Sequence, residues 1–212
     1  MNAPWTVLIP VKPAGRAKRR LRGVVAAGHH AALVRAMALD TITAALAASS
    51  IGAVVLVTAD DSLATQARRL GAAIVGDAGA LNVALREAAD AVRRPPDGVA
   101  ALLADLPAVR VAELDGALDF AGSGHGLAFL ADAAGTGTTL LAAPPGVAFT
   151  PRFGRASAAA HSAIARPLQE PPTGWPGLRT DVDTPDDLKR ALELGVGPHT
   201  AVLLGNHFVE SR

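Results

Sequence analysis

Residues 99–107 read VAALLADLP, and this stretch decides the fold. Its first six residues are all apolar, which predicts a strand covered on both faces, and the run stops at Asp105. Continuous apolar runs of the same kind occupy residues 5–11 (WTVLIPV), 53–58 (AVVLVT) and, in shorter form, 72–75. Apolar residues at helical spacing predict helices between and after these runs, over residues 29–48, 62–70, 81–92 and 112–120.

Strands that are apolar on both faces and alternate with helices predict an α/β fold. We expect three layers, α/β/α, with a parallel or mostly parallel sheet between the helices. Ligands bind such sheets beyond the carboxyl ends of the strands. The loops after Val11, Thr58 and Ala104 are therefore expected to face one crevice.

The second half of the chain has a different pattern, with denser glycine and proline beyond residue 122. Residues 127–130 and 138–143 are candidate strands, and a final helix is predicted over residues 186–194. Thr184 is the expected N-cap of that helix, with Pro185 in its first turn. Residues 204–212 are interpreted as a frayed tail or a dimer contact. No linker is evident, so residues 1–212 are expected to form one domain.

Charge and composition exclude several classes of protein. The chain of 212 residues carries 20 basic and 19 acidic side chains, so it has no global field that would attract nucleic acid or anionic lipid. It has no cysteine, which excludes disulfides and thiolate chemistry. No apolar segment approaches the roughly 20 residues that span a bilayer. We therefore expect a soluble, cytoplasmic protein without nucleic-acid or membrane partners.

A cluster of basic residues follows the first predicted strand. A loop at the carboxyl end of a first strand commonly holds a triphosphate. Cationic side chains in such a loop neutralise the charge that builds up on the leaving pyrophosphate. A solvated, basic helix start is the alternative. The glycine-rich Walker pattern is absent. Six cations make up the cluster: Lys12, Arg16, Lys18, Arg19, Arg20 and Arg22.

Acidic residues follow the most apolar strand and precede the last predicted helix. Asp105 ends the strand, where it could bind a hard cation such as Mg²⁺, or else serve as a turn or N-cap residue. Asp181 and Asp183 alternate in an extended segment and so share a face. They could cap the helix, but Thr184 already suits that role. Carboxylates from two distant segments are what a magnesium–triphosphate complex requires.

Three further features are weaker. The string GTGTT at 135–139, with Arg152 and Arg155 nearby, suits an anionic acceptor, although such a string is usually a turn into a strand. Asn82 lies at the start of a predicted helix, and its side chain could either cap that helix or recognise a nucleotide base. The six histidines show no metal-ligand spacing.

Taken together, the motifs resemble the guanylyltransferases of coenzyme F420 biosynthesis, which act on 2-phospho-L-lactate or phosphoenolpyruvate. The likeness is closest to the actinobacterial branch, for which phosphoenolpyruvate is the expected acceptor. It runs in order over nearly the whole chain, through IPVK (9–12), AK (17–18), RL (20–21), LNVAL (81–85), DLP (105–107), GTGT (135–138), RFG (152–154) with Ser157, WPGLR (175–179) and DVDTPDDL (181–188). The chain departs from the family at Ala104, where Gly is usual, and at Arg19, where Thr is usual.

The resemblance implies a nucleotidyltransferase fold of the glycosyltransferase-A type. It also implies transfer of GMP from GTP to the acceptor, which gives enolpyruvyl- or lactyl-2-diphospho-5'-guanosine for the next transferase of the pathway. By motif position, the acceptor would be held by Thr138, Gly154 and Ser157, and Mg²⁺ by Asp105 and Asp183. The expected catalytic residues are Lys12, Lys18 and Asp105. The expected nucleotide-binding residues are Lys12, Arg16, Lys18, Arg20 and Asn82.

Two other readings remain open. One is a related nucleotidyltransferase of the molybdopterin, sugar-phosphate or cytidylyl type, although those usually carry a glycine-rich first loop that residues 10–21 lack. The other is a non-catalytic nucleotide-binding regulator, against which the acids at 105, 181 and 183 argue. The sequence does not choose between phosphoenolpyruvate, 2-phospholactate and 3-phosphoglycerate, and it leaves a homodimer open.

Overall fold

A computed structural model describes residues 4–12, 21, 29–77, 79–92, 94, 97–169, 171 and 174–210, with side chains through residue 205. The strands of the described part are β1 (Trp5–Val11), β2 (Ile51–Thr58), β3 (Ala73–Val75), β4 (Gly98–Leu102), β5 (Ala128–Ala131), β6 (Thr138–Ala143) and β7 (Arg166–Pro167). Its helices are α1 (His30–Ala47), α2 (Asp61–Leu70), α3 (Leu81–Val92), α4 (Val111–Gly122), α5 (Ser157–Ser162), α6 (Pro176–Arg179), α7 (Pro185–Leu194) and α8 (Pro198–Glu210).

The strands form one mixed sheet in the order β3-β2-β1-β4-β6-β5-β7. The first four of these are parallel to one another, as their continuous apolar sequences predict. Strand β6 runs antiparallel to both β4 and β5, while β7 is parallel to β5. The predicted α/β fold with a mostly parallel, mixed sheet is confirmed. Because β6 reverses direction beside β4, the start of β6 lies at the same sheet edge as the end of β4.

Helices cover both faces of the sheet. Along β1, Val7 and Ile9 face a core shared with α1, α2 and α4, whereas Leu8 faces a second core shared with α3 and α5. Alanine supplies much of both cores, for example Ala45 and Ala88, each 0% exposed. Small side chains let the helices pack close to the sheet, which offsets the scarcity of aromatic residues.

Helix α1 is the one helix of the described chain that is long and apolar enough to cross a bilayer. However, 56% of it is buried inside the fold. One face contacts the sheet, and the opposite face places Leu33 and Met37 in a third core cluster with Leu188 and Leu204. Burial on two sides explains its apolar composition as that of a core helix.

The end of the chain departs from the prediction. Thr184 does cap α7, in a capping box with Asp187, but α7 is not the final helix. Residues 204–210 are helical in α8 and not a frayed tail, while the alternative of a dimer contact stays a prediction; residues 211–212 lie outside the described residues. The buried carboxylate of Asp40 accepts hydrogen bonds from the backbone N–H groups of His199 (2.8 Å) and Thr200 (2.9 Å). This cap comes from a residue far away in sequence, so no local side chain marks the N-cap of the helix.

Candidate active site

An open cavity of about 450 Å³ lies at the edge of the sheet where β4 ends and β6 begins. The structure brings together there five of the predicted site residues, two of them acids and three from the predicted acceptor segments. Asp181 and Arg155 also reach the cavity. Its lining consists of Leu81, Leu103, Asp105, Asp132, Thr136, Gly137, Thr138, Phe153, Gly154, Arg155, Ala156, Ser157, Asp181 and Asp183.

The loop that carries Asp105 is fixed on both sides. The Thr41 hydroxyl, on the buried face of α1, lies 3.0 Å from the carbonyl oxygen of Ala104 and accepts a 3.2 Å hydrogen bond from the N–H of Leu106. The Asp105 carbonyl accepts a 3.0 Å hydrogen bond from the N–H of Val182. The backbone on either side of Asp105 is thus hydrogen-bonded to α1, and the carbonyl of Asp105 is hydrogen-bonded to the segment 181–183.

Asp181 and Asp183 lie on either side of Val182, whose N–H contacts the Asp105 carbonyl. Val182 is fully buried, whereas Asp181 and Asp183 line the cavity. The cap of α7 is supplied by Thr184 and Asp187, so the helix does not need the two acids for capping. No group of three or more His, Cys, Asp or Glu side chains that could hold a metal occurs in the described part of the chain. A cation here would therefore be shared between a few carboxylates and the oxygens of a ligand.

Asp132 shapes the GTGT turn. Its carboxylate accepts hydrogen bonds from the backbone N–H groups of Thr136 (2.8 Å) and Gly137 (2.7 Å). A Cβ atom at Gly137 would lie 2.4 Å from the Asp132 carboxylate, so this approach requires glycine. The turn delivers Thr138 to the cavity wall at the start of β6.

The loop before α5 lines the cavity beside the GTGT turn. Gly154 has φ +141°, and Ala156, with φ +56°, is the one non-glycine residue with positive φ among the described residues. Such backbone strain clusters at functional sites. The N–H of Ala158 donates to the carbonyl of Thr136 at 3.1 Å, which ties this loop to the GTGT turn. Ser157 is only 3% exposed and borders the cavity.

Asn82 supports this loop from behind. Its side-chain amide donates to the carbonyl of Phe153 (2.9 Å) and accepts from the Phe153 N–H (2.8 Å). It is not part of the cavity lining and does not cap α3, so the cap interpretation is wrong. Its amide holds the loop that carries Gly154, and binding of a nucleotide by Asn82 stays a prediction.

The basic cluster is described at one position only. Lys12 forms an ion pair with Asp77, Nζ to Oδ2 2.8 Å, and also donates to the carbonyl of Gly79. It borders a narrow cleft that shares Leu81 with the cavity. The other cations of the cluster lie outside the described residues: Arg16, Lys18, Arg19, Arg20 and Arg22.

The loop after β2 does not line the cavity, contrary to the expectation for all three strand ends. Asp60 in this loop instead caps α2 by accepting from the Leu63 N–H, and it pairs with Arg35 at 2.9 Å. Its carboxylate therefore serves the fold.

Sequence reasoning missed three residues that shape the site: Thr41, Asp132 and His161. The imidazole of His161 lies behind Thr138, with Nδ1 2.8 Å from the threonine hydroxyl. Each of the three side chains makes hydrogen bonds with groups that only the folded chain brings near. Only Asp132 had a usable signal, an acid directly ahead of a glycine-rich turn.

Comparison with solved structures defines the class of the fold. The chain resembles a putative nucleotide-diphospho-sugar transferase from Desulfovibrio desulfuricans, with a TM-score of 0.70 and 20% identity over 96% of this chain and 95% of that one. It also resembles a cytidylyltransferase from Leptospira borgpetersenii, with a TM-score of 0.59 and 14% identity over 96% and 93% of the two chains. The fold is thus that of the nucleotidyltransferases, as predicted.

Sequence comparison identifies the family. Residues 5–205 match the model of the family "Guanylyl transferase CofC like". The chain is 48% identical to the phosphoenolpyruvate guanylyltransferase of Salinispora arenicola over 97% of this chain and 95% of the relative. It is 44% identical to the protein of that name from Mycolicibacterium gilvum, over 94% of each chain. The chain belongs to the CofC-like guanylyltransferase family, which confirms the predicted resemblance.

Proposed function

We propose that this protein transfers GMP from GTP to phosphoenolpyruvate, or to 2-phospho-L-lactate, with release of pyrophosphate. The relatives that cover nearly the whole chain carry the name phosphoenolpyruvate guanylyltransferase. The observation that carries the proposal is that Asp105 and Asp183 line the same cavity as Thr138, Gly154 and Ser157. Carboxylates for a cation and neutral donors for an anion thus face one space.

The donor set fits a magnesium ion. Asp105 and Asp183 offer hard carboxylate oxygens, and Mg²⁺ typically takes one or two carboxylates, with phosphate oxygens and water as its other ligands. The residues proposed to hold it are these two, with Asp181 beside them on the lining. Bound there, Mg²⁺ would neutralise negative charge on the triphosphate of the nucleotide.

The part of the lining that Thr138, Gly154 and Ser157 form is proposed to hold the acceptor. Thr138 and Ser157 supply hydroxyls, and Gly154 lets the backbone approach closely because it has no side chain. Arg155 adds a positive charge on the same lining. This set suits a small anion with a phosphate and a carboxylate.

The chemistry needs no protein nucleophile. The phosphate of the acceptor has a second pKa of about 6, so it is largely a dianion at neutral pH. One of its oxygens forms a bond to the α-phosphorus of GTP, while the bond from that phosphorus to the bridging oxygen of the β-phosphate breaks and pyrophosphate leaves. The protein contributes by holding the two anions in line and neutralising their charge. Lys12 is proposed to exchange Asp77 for a phosphate, and Lys18 to act with it.

The test is a matrix of nucleotides and acceptors. GTP, ATP, CTP and UTP would each be incubated with Mg²⁺ and phosphoenolpyruvate, 2-phospho-L-lactate or 3-phosphoglycerate, with pyrophosphate as the readout. The next transferase of coenzyme F420 biosynthesis would be added to consume a labile product. We expect pyrophosphate only with GTP and one of the first two acids.

Other outcomes would change the assignment. Turnover with CTP, or with a sugar phosphate in place of these acids, would make the protein a different nucleotidyltransferase. Binding of GTP without pyrophosphate release for any acceptor would favour a regulator that does not catalyse.

A further inference from the structure

His161 lies directly behind the proposed acceptor wall. Its side chain is 0% exposed and projects from α5. The ring packs edge-on against Phe153, with centroids 5.1 Å apart, and lies 6.0 Å from the ring of Phe129. The imidazole is therefore held in one orientation by apolar neighbours, and its two nitrogen atoms face fixed partners.

The partners of the ring determine where its proton sits. The backbone N–H of Arg152 donates to Nε2 at 2.9 Å. A backbone amide nitrogen can only donate, so Nε2 must be the unprotonated acceptor. A neutral imidazole then carries its hydrogen on Nδ1, which lies 2.8 Å from the hydroxyl oxygen of Thr138. The direction of this second hydrogen bond is thereby fixed, from His161 to Thr138.

The charge state of the ring agrees with this arrangement. Burial, together with the positive charge of Arg152, lowers the pKa of His161 from 6.5 to about 4. The imidazole is therefore neutral at physiological pH. A doubly protonated ring would also place two donors, Nε2–H and the Arg152 N–H, against each other.

The hydroxyl of Thr138 is left as a donor. A threonine hydroxyl has one hydrogen and two lone pairs, and here one lone pair accepts the Nδ1–H of His161. Its own hydrogen is free to point elsewhere, and Thr138 borders the cavity. With the other tautomer of His161, Thr138 would spend its hydrogen on the ring and present only lone pairs to an incoming anion.

We propose that His161 is a positioning residue for the acceptor, which makes the Thr138 hydroxyl a permanent hydrogen-bond donor toward the bound phospho-acid. The proposal rests on the proposed function in one respect, the identity of the anion at Thr138. A merely structural histidine would keep the same tautomer, which the Arg152 N–H sets, but its replacement would lower stability without a selective rise in the KM for the acceptor.

Two substitutions separate the two hydrogen bonds of the ring. In His161→Asn, the amide nitrogen can take the place of Nδ1 and keep the bond to Thr138. In His161→Gln, the longer side chain can keep an acceptor for the Arg152 N–H but loses the donor to Thr138. We expect the Gln variant to raise the KM for the acceptor roughly 10- to 100-fold, the effect of one hydrogen bond to a charged group. The KM for GTP should change less than about twofold.

A double-mutant cycle tests whether His161 acts through Thr138. In a Thr138→Val background, His161→Gln should raise the KM for the acceptor no further, because the hydroxyl it orients is gone. The exposed His125→Gln serves as the matched control and should leave both KM values unchanged. Additive effects, or equal effects of the Asn and Gln variants on the KM for the acceptor, would overturn the proposal.

One measurement needs no variant. Long-range proton–nitrogen NMR correlations of the wild-type protein report which ring nitrogen of His161 is protonated. We expect the Nδ1–H form at pH 7, and an Nε2–H form would refute the proposal even if every variant failed to fold. The proposed function fails separately, if the wild-type protein releases no pyrophosphate with any acceptor while the Nδ1–H form is observed.

Discussion

Replacing Thr41 by valine tests how the fold positions Asp105. Valine is close to threonine in shape but has a methyl group in place of the hydroxyl. The change removes the hydrogen bond to the Ala104 carbonyl (3.0 Å) and the one from the Leu106 N–H (3.2 Å). The single hydrogen of the hydroxyl is shared between the Ala104 carbonyl and the Met37 carbonyl (3.1 Å), and the helix loses the contact with Met37 at little cost because its backbone hydrogen bonds remain.

The expected loss of stability follows from burial. Leu106 is 0% exposed, so its N–H would be left without a partner in the core, at a cost of about 1–3 kcal/mol. Ala104 is partly exposed, and water can satisfy its carbonyl. The matched variant Thr41→Ser keeps the hydroxyl and deletes one buried methyl group, which costs about 1 kcal/mol. Urea unfolding of the three proteins measures these differences.

Enzyme activity should distinguish Thr41→Val from Thr41→Ser more clearly than the free energy of unfolding does. Without the hydrogen bonds of Thr41 the Asp105 loop can shift. If Asp105 binds Mg²⁺ as proposed, half-maximal pyrophosphate release by Thr41→Val should need a magnesium concentration roughly 10-fold higher, the effect of losing an outer support to a metal ligand. Thr41→Ser should keep the wild-type requirement. A valine variant with wild-type magnesium dependence, or a serine variant as impaired as the valine one, would refute this reasoning.

Two further predictions concern the surroundings of Thr138. The pKa of His161 is lowered from 6.5 to about 4 on folding, so the unfolded chain binds a proton more tightly than the folded one. The free energy of unfolding is therefore unaffected by this group above pH 6.5 and falls by up to about 3 kcal/mol as the pH drops toward 4. Urea unfolding at pH 7 and pH 4 should therefore show a steeper acid loss for the wild type than for His161→Asn, and parallel losses would contradict the assignment. Gly137→Ala would press a Cβ against the Asp132 carboxylate at 2.4 Å and should cost about 1–3 kcal/mol while weakening acceptor binding. Gly76→Ala, where nothing lies within 4 Å, is its control, and equal unfolding midpoints for the two variants would exclude the clash.

Much of the fold could be predicted because its signals are local. A continuous apolar run marked β1, the candidate strand at residues 138–143 marked β6, and helical spacing marked α3, each with the observed bounds. Gly71 ends α2 in the left-handed conformation expected of a C-cap glycine. Strand β4 ends at Leu102, two residues before its apolar run does, because Leu103 and Ala104 already belong to the loop that Thr41 holds.

The site was predictable to the extent that strand ends determine it. Asp105 lies in the loop that follows the buried strand β4, and Asp183 precedes a well-marked helix, so their shared cavity followed from topology and motif. The supporting contacts were not predictable, since Thr41 and His161 bond groups that only the folded chain brings near. The same holds for the cap that Asp40 provides to α8, which joins positions 159 and 160 residues apart.

The central claim is that Asp105 and Asp183 hold the cation of one nucleotide complex. It is tested most directly by pyrophosphate release from GTP and phosphoenolpyruvate in Asp105→Asn and Asp183→Asn, with the exposed Asp90→Asn as control. We expect at least about a hundredfold loss in each of the first two, with unfolding midpoints near that of the wild type, and full activity in the control. Near-wild-type rates in either site variant would contradict it.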